Sequence, residues 1–135
     1  MAEFKLIIAG GRDFTDYELL KQVMARLVTT VLVDHDVSIV SGMARGADAL
    51  GYMFANRNKV KVYEYPAHWD RYGKKAGYMR NTQMGSFADG LLAFWDGDSK
   101  GTGHMISYMK QLNKPVYIVE YGHGHNQTDS TAGSQ

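Results

Sequence analysis

Three glycine-rich segments that carry small polar and charged side chains each follow a short apolar run. The segments are GGRDF at 10–14, SGMARGAD at 41–48 and DGDSKGTG at 96–103. Glycines let the backbone approach a ligand closely and turn its N–H groups toward it, while arginines pair with phosphate oxygens through parallel hydrogen bonds. These residue types therefore favour the binding of an anion, above all a phosphate.

The polar residues around these segments suit the parts of a nucleotide. Arginines supply positive charge to a phosphate, hydroxyl groups donate hydrogen bonds, and carboxylates accept hydrogen bonds from ribose hydroxyls or a base edge. Because carboxylates do not bind a bare phosphate, the mixture favours a nucleotide or a nucleotide-derived ligand. The ligand-binding residues predicted on these grounds are Gly10, Gly11, Arg12, Asp13, Ser41, Gly42, Arg45, Gly46, Asp48, Arg80, Asp96, Gly97, Ser99, Gly101 and Thr102.

The longest connection of the chain, PAHWDRYGKKAGYMRN at 66–81, is basic and aromatic. Long connections in compact domains are often lids or binding loops. An aromatic side chain there can stack on a base while the cations meet phosphate. The alternative is a solvated surface whose aromatic side chains pack on the core. The aromatic and cationic residues of the connection are Trp69, Arg71, Tyr72, Lys74, Lys75, Tyr78 and Arg80.

Strand and helix patterns alternate along the chain and must position these segments. Short apolar runs predict strands at 4–10, 37–42, 59–66, 90–95 and 115–121. Helical spacing predicts helices after the first, second and fourth strands and over 79–88. This alternation predicts an α/β fold, namely a Rossmann-like open parallel five-stranded sheet with helices on both faces.

All three glycine-rich segments follow the carboxyl ends of predicted strands. Ligands of open parallel sheets bind beyond those ends, where the strand order reverses. The opposite edge carries ordinary turns, such as DHD at 34–36 and LNKP at 112–115. We therefore expect the three segments to meet at one edge and to form one binding site.

Two predicted helices have apolar faces that should point into the core. A capping box of Thr15 and Glu18 should start the first helix. The predicted buried face of that helix comprises Leu20, Val23, Met24, Leu27 and Val31. The predicted inward residues of the helix after the fourth strand are Met105, Ile106, Met109 and Leu112.

The composition is that of a globular protein. The 135 residues suit one nucleotide-binding domain, predicted over 1–121, followed by a glycine-rich polar tail at 122–135 that we expect to be flexible. The formal net charge of +1 is small for a protein that coats nucleic acid. The chain has no cysteine, no leader-like start and no apolar run near the roughly 20 residues of a membrane span. We therefore expect a cytoplasmic protein without a membrane partner.

The sequence does not favour metal chemistry. His68 and His104 form no ligand set with a cysteine or a spaced histidine pair, and His123 and His125 fall in the predicted tail. We therefore predict no metal site, and no cofactor beyond the nucleotide-like ligand.

Several blocks of the sequence, in order, resemble the YspA/YpsA-related branch of the SLOG superfamily. The blocks are IIAGGRDF, SGMARGADALG, PAHWDRYGKKAGYMRN, ADGLLAFWDGDSKGTGHMI and KPVYIV. The resemblance runs from about Lys5 to Val119 and implies a Rossmann-like domain that binds nucleotides or nucleotide-derived ligands. In the DprA-like relatives the second block shapes a phosphate site. Their later arginine–asparagine pair resembles Arg80 and Asn81, which adds Asn81 to the predicted ligand residues.

The LOG enzymes of the same superfamily cleave the N-glycosidic bond of nucleoside monophosphates, which raises the alternative of a phosphoribohydrolase. Their arginine resembles Arg80, but the glutamates that follow their Gly-Thr pair have no counterpart after Thr102. Breaking that bond needs a group that activates water or stabilises a sugar cation. The remaining catalytic candidates are Arg80, Asp96, Asp98 and His104. The missing glutamate favours binding over cleavage.

Three functions are compatible with these patterns. The first is a sensor, carrier or sequestering domain for a small phosphorylated nucleotide-like ligand. The second is hydrolysis of a nucleoside monophosphate, and the third is binding of single-stranded DNA, which DprA-like relatives bind. The small net charge makes nucleic-acid binding the least favoured of the three functions. Self-association into a homo-oligomer stays open.

Overall fold

Strands and helices alternate through the computed structural model, which describes residues 1–122. The strands are β1 (Ala2–Gly10), β2 (His35–Ser41), β3 (Val62–Glu64), β4 (Gly90–Trp95) and β5 (Val116–Glu120). The helices are α1 (Tyr17–Thr29), α2 (Ala47–Arg57), α3 (Trp69–Tyr72), α4 (Ala76–Phe87) and α5 (Lys100–Gln111), with a 3₁₀ turn at Gly73–Lys75. Within residues 1–122, no helix has the length and apolarity to cross a membrane. The predicted tail lies outside the described residues from position 123 onward.

One parallel sheet contains these five strands in the order β3-β2-β1-β4-β5. β1 lies at the centre, with Leu6 beside Ile39 of β2 and Ile8 beside Leu92 of β4. The chain moves outward from β1 to β3 and then returns to the other side of β1, so the strand order reverses between β1 and β4. The predicted Rossmann-like α/β fold is confirmed.

Helices cover both faces of the sheet and bury a separate apolar layer on each. Leu6 and Ile8 of β1 pack on the side of α1 and α2, whereas Ile7 and Ala9 pack on the side of α4 and α5. Because both faces are buried, the central strands are continuous apolar runs in the sequence. This double packing fixes the carboxyl ends of β1 and β4 side by side at one edge.

Three details of the predicted helices are wrong. The N-cap of α1 is Asp16 rather than Thr15, because the helix begins one residue later than the capping box requires. The Asp16 carboxylate accepts a hydrogen bond of 3.0 Å from the N–H of Leu19. Val31 is 58% exposed because it lies beyond the end of α1, and Leu112 is 39% exposed because it lies beyond the end of α5. The other residues of both predicted faces pack into the core.

The third strand is shorter than the predicted span of 59–66. Lys59 has a positive φ of 56°, and the N–H of Val60 donates a 2.8 Å hydrogen bond to the carbonyl oxygen of Ala55. Both residues therefore close the end of α2 instead of joining the sheet. β3 is also an edge strand, so only β2 pairs with it.

Candidate functional site

A cleft of about 740 Å³ opens at the carboxyl ends of β1 and β4, where the strand order reverses. This volume lies in the range of small-molecule sites. The walls come from the loops after β1, β2 and β4, from α3, from the 3₁₀ turn and from the N-terminal halves of α4 and α5. The lining residues are Ala9, Gly10, Gly11, Arg12, Asp13, Ala44, Arg45, Asp48, Trp69, Lys74, Gly77, Tyr78, Arg80, Asn81, Asp96, Ser99, Gly101, Thr102 and Met105.

All three glycine-rich segments contribute predicted ligand residues to this lining, and the connection at 66–81 contributes two more, Arg80 and Asn81. The residues from the three segments are Gly10, Gly11, Arg12, Asp13, Arg45, Asp48, Asp96, Ser99, Gly101 and Thr102. Four other predicted ligand residues are not among the lining residues: Ser41, Gly42, Gly46 and Gly97. The segments meet at one edge of the sheet, as the parallel topology requires, and ligand binding by these residues stays a prediction.

Backbone hydrogen bonds anchor the loop after β1 to its neighbours. The N–H of Gly11 donates to the carbonyl oxygen of Phe94 in β4 at 3.1 Å. The carbonyl oxygen of Gly11 accepts from the N–H of Ala47 in α2 at 3.2 Å. Because the loop base is held on both sides, the exposed side chains of Arg12 and Asp13 line the cleft from a fixed backbone.

Ser41 and Gly46 shape the loop after β2 and do not face the cleft. The Ser41 hydroxyl donates to the backbone carbonyl of Asp48 at 3.1 Å and accepts from the N–H of Met43 at 3.1 Å. Gly46 has a φ of +82°, and a Cβ there would collide with the carbonyl oxygen of Gly11. The close contact between the first two loops therefore requires glycine.

Asp48 and Arg80 lie together beside Gly42 and place opposite charges in the cleft. A Cβ at Gly42 would lie 2.6 Å from the Asp48 carboxylate and 2.8 Å from the Arg80 guanidinium, so both groups crowd against the glycine. Asp48 is only 6% exposed. Burial raises its pKa to about 6, although Arg80 and Arg12 favour the ionised form. The cleft thus holds a carboxyl group that can exchange a proton near neutral pH.

Arg80 itself is a half-buried cation. Burial lowers the pKa of its guanidinium, Asp48 raises it, and the nearby charge of Arg12 lowers it. An arginine side chain nevertheless stays protonated in proteins. The cleft therefore keeps a fixed positive charge in a partly desolvated place, where its attraction for an anion is stronger than in water.

Asn81 joins α4 to the first turn of α5. Its Oδ1 accepts from Nε of Arg80 at 3.1 Å, and its Nδ2 donates to the carbonyl oxygen of Gly101 at 3.2 Å. The same Nδ2 lies 3.4 Å from Nδ1 of His104. The His104 ring packs edge-on against Tyr78, with ring centres 4.7 Å apart, and burial lowers the pKa of His104. Asn81 therefore positions the walls of the cleft.

The loop after β4 folds around the carboxylate of Asp96. One carboxylate oxygen accepts from the N–H of Asp98 at 2.9 Å and from the N–H of Ser99 at 2.8 Å. This Asx turn leads directly into α5. The Ser99 hydroxyl donates to Oγ1 of Thr102 at 3.3 Å. Asp96, Ser99 and Thr102 line the cleft, whereas Gly97 and Asp98 are exposed outside it.

The structure separates the four predicted catalytic candidates. Arg80 and Asp96 line the cleft, whereas Asp98 and His104 do not. Asp48, predicted only as a ligand residue, is the lining carboxyl whose pKa is raised to about 6. Within residues 1–122, no three histidine, aspartate or glutamate side chains are arranged to hold a metal ion.

Three larger side chains of the cleft, Trp69, Lys74 and Tyr78, come from the long basic and aromatic connection at 66–81. The sequence indicated that this connection could contact a ligand, but it did not place these three side chains among the predicted ligand residues. The Trp69 ring centre lies 5.7 Å from the guanidinium carbon of Arg12. Only the fold reveals this contact, because the two residues are far apart in the chain.

Comparison with known sequences places this architecture in a family. Residues 4–72 match the profile of the YAcAr family, described as the YspA, cpYpsA-related SLOG family. The Gene 61 protein of Mycobacterium phage D29 is 36% identical over 118 residues, which cover 83% of this chain and 93% of the phage protein.

A solved structure shares the fold. The DNA processing protein A (DprA) from Streptococcus pneumoniae matches with a TM-score of 0.67 and 16% sequence identity over 90% of this chain. The chain spans only 52% of that DprA chain. The profile match and the phage relative together show that the chain belongs to the YspA, cpYpsA-related SLOG family.

Proposed function

We propose that the protein binds a nucleotide or a nucleotide-derived small molecule in this cleft, as a sensor, carrier or sequestering domain. One observation carries the proposal. Three arginines from different parts of the chain, Arg12, Arg45 and Arg80, line the same cleft at the point where the strand order reverses. Membership of the SLOG family supports a nucleotide-related function.

The cleft suits the phosphate group of such a ligand. Lys74 adds a fourth cationic side chain to the arginines of the lining. Ser99, the N-cap residue of α5, makes no side-chain cap to its own helix and lines the cleft. The first-turn N–H groups of α5 therefore add partial positive charge beside the glycine-rich loop after β4. We infer that the phosphate lies between this helix end and Arg80.

Size and charge favour a nucleotide over inorganic phosphate. The cleft volume of about 740 Å³ exceeds what a phosphate ion fills. The lining also includes the carboxylates of Asp13, Asp48 and Asp96, which repel a bare anion. Such carboxylates are useful beside ribose hydroxyls or a base edge, from which they accept hydrogen bonds.

Isothermal titration calorimetry with ribonucleoside 5′-mono- and diphosphates tests the proposal. We expect Arg45→Ala to weaken binding by about tenfold or more, the effect of one lost charge-assisted hydrogen bond. Arg26→Ala removes the same charge from the exposed side of α1 and should bind like the wild type. Equal nucleotide affinity of the two variants would show that Arg45 does not contribute to the site. The absence of binding heat with every nucleotide tested would contradict the proposed function.

The pKa of Asp48 supports hydrolysis of a nucleoside monophosphate as a second candidate function. A buried carboxyl group with a pKa of about 6 can act as a general acid near neutral pH. In such a reaction water adds across the N-glycosidic bond and releases the free base and ribose 5-phosphate. Chromatography after long incubation would detect the free base. An inactive Asp48→Asn variant that still binds would support this candidate, and no base released by the wild type would dismiss it.

The structural similarity to DprA motivates binding of single-stranded DNA as a third candidate function. That similarity concerns the fold alone. The small net charge of +1 and the acidic residues of the cleft weigh against DNA binding. Electrophoretic mobility shifts at several salt concentrations would test it, because contacts with several phosphates make binding strongly salt-dependent. Retardation at low salt that fades as salt rises would support DNA binding.

A further inference from the structure

Trp69 is a large aromatic side chain that stays 47% exposed at the cleft. It begins α3, and the edge of its indole lies against α4, where a Cβ at Gly77 would come within 3.1 Å of the ring. The backbone of α4 thus supports one edge of the ring and leaves much of the indole open. A supported and open aromatic face suits ligand contact, because indole offers a large flat apolar surface.

A second pocket adjoins the cleft and is bounded by Trp69 and two arginines. This adjoining pocket has a volume of about 540 Å³ and is lined by Arg12, Ala44, Arg45 and Trp69, all of which also line the cleft. The guanidinium of Arg12 lies over the indole, 5.7 Å from the ring centre, so a cation and a flat aromatic ring lie side by side on this wall. Indole and guanidinium are both flat groups that stack on heteroaromatic rings.

We propose that this adjoining pocket holds the heterocyclic base of the ligand, stacked on Trp69, while the phosphate lies in the cleft near Arg80. This inference rests on the proposed function and names its ligand class as purine or pyrimidine nucleotides rather than sugar phosphates. Stacking tolerates every base, because every base has a flat π-face. Trp69 therefore selects for the presence of a base more than for its identity.

Calorimetry with AMP and with ribose 5-phosphate tests the inference, since the two differ only by the base. Trp69→Leu should weaken AMP binding by about 5- to 150-fold, the range of one base–aromatic stacking contact, and leave ribose 5-phosphate binding unchanged. Trp69→Phe should keep most of the AMP affinity. Tyr72→Leu is the matched control, because Tyr72 is 42% exposed on the same helix and does not line the cleft.

Ring-current shifts separate stacking from a merely structural role of Trp69. The base protons of AMP should shift upfield in the NMR spectrum when AMP binds the wild type. This upfield shift should be absent when Trp69→Leu is saturated with AMP. Equal AMP affinity in the wild type and Trp69→Leu, with ribose 5-phosphate bound as tightly as AMP, would overturn the base site and leave the phosphate site standing. Failure of the wild type to bind ribose 5-phosphate and all four nucleoside monophosphates would overturn the proposed function as well.

Discussion

Nη1 of Arg80 donates a hydrogen bond of 2.6 Å to the backbone carbonyl oxygen of Gly42, which joins α4 to the loop after β2. Nε of the same guanidinium donates to Oδ1 of Asn81 at 3.1 Å. The two bonds hold the cation in the cleft before any ligand arrives. A charge that is already in place costs no reorganisation when an anion binds.

The first prediction concerns Arg80→Lys. Lysine keeps the charge, but one ammonium group cannot replace the two directed bonds to Gly42 and Asn81. We expect the free energy of unfolding to fall by roughly 1 kcal/mol, and nucleotide affinity to fall by about tenfold or more. Urea denaturation and calorimetry measure the two effects. Wild-type affinity in Arg80→Lys would show that the geometry of the guanidinium does not matter.

The second prediction is a pH dependence that originates at Asp48. Its pKa in the folded chain is about 6, against an ordinary value of 3.8, so folding favours the protonated form. The stability that this group contributes is fully present below about pH 3.8 and is lost as the pH rises through about 6. The difference between these two values corresponds to roughly 3 kcal/mol of unfolding free energy.

Asp48→Asn isolates this effect, because asparagine does not titrate. Urea unfolding from pH 4.5 to 8 should show the wild type losing stability relative to Asp48→Asn as the pH rises. Asp34→Asn, in an exposed turn before β2, is the matched control and should track the wild type. A constant difference between the wild type and Asp48→Asn across this range would contradict the raised pKa.

The third prediction contrasts Gly46, in the loop after β2, with Gly101, in the first turn of α5. Residue 46 has a positive φ, and the Cβ of Gly46→Ala would collide with the carbonyl oxygen of Gly11. The free energy of unfolding should therefore fall by about 2 kcal/mol or more. At Gly101 a Cβ would meet nothing within 4 Å. Gly101→Ala should therefore change stability by less than about 0.5 kcal/mol. Thermal unfolding measures both, and equal melting temperatures for the two variants would contradict the close loop contact.

The fourth prediction concerns Lys114, in the turn before β5. Its ammonium donates to three carbonyl oxygens at the end of α4, those of Gly85 at 2.7 Å, Ser86 at 3.3 Å and Ala88 at 2.7 Å. These contacts satisfy carbonyls that the helix leaves unpaired. Lys114→Met should therefore lower the free energy of unfolding by about 1 to 3 kcal/mol.

Lys110→Met is the matched control for this cap, because Lys110 is exposed on α5. It should leave the denaturation midpoint near that of the wild type. Both variants should keep wild-type nucleotide affinity, since the cap lies at the opposite end of α4 from the cleft. Equal midpoints for the two variants would show that the cap contributes nothing measurable.

The apolar runs and the glycine-rich segments predicted the fold and the edge that carries the cleft. β4 spans Gly90–Trp95, the predicted range, because a strand buried on both faces leaves a continuous apolar run in the sequence. The three segments meet because parallel strands place their carboxyl ends together. These features depend on local pattern and on topology, both of which a single sequence contains.

Contacts between distant parts of the chain could not be predicted from the sequence. The LNKP turn looked ordinary, yet its lysine caps a helix that ends more than twenty residues earlier in the chain. Ser41 looked like a ligand donor, yet its hydroxyl bonds to the backbone of α2. Trp69 lies in a connection whose composition indicated binding without indicating which side chain enters the cleft. In each case a long-range contact fixes the direction of a polar or aromatic group.

Backbone amide shifts test most directly whether the three loops form one nucleotide site. In a ¹⁵N–¹H NMR titration with AMP, we predict that the amides of Gly11, Ala44 and Thr102 shift together along one binding curve. The amides of Asp34 and Asn113, in turns at the opposite edge of the sheet, should stay in place. Shifts confined to other surfaces, or no shifts with any nucleoside phosphate, would contradict the account.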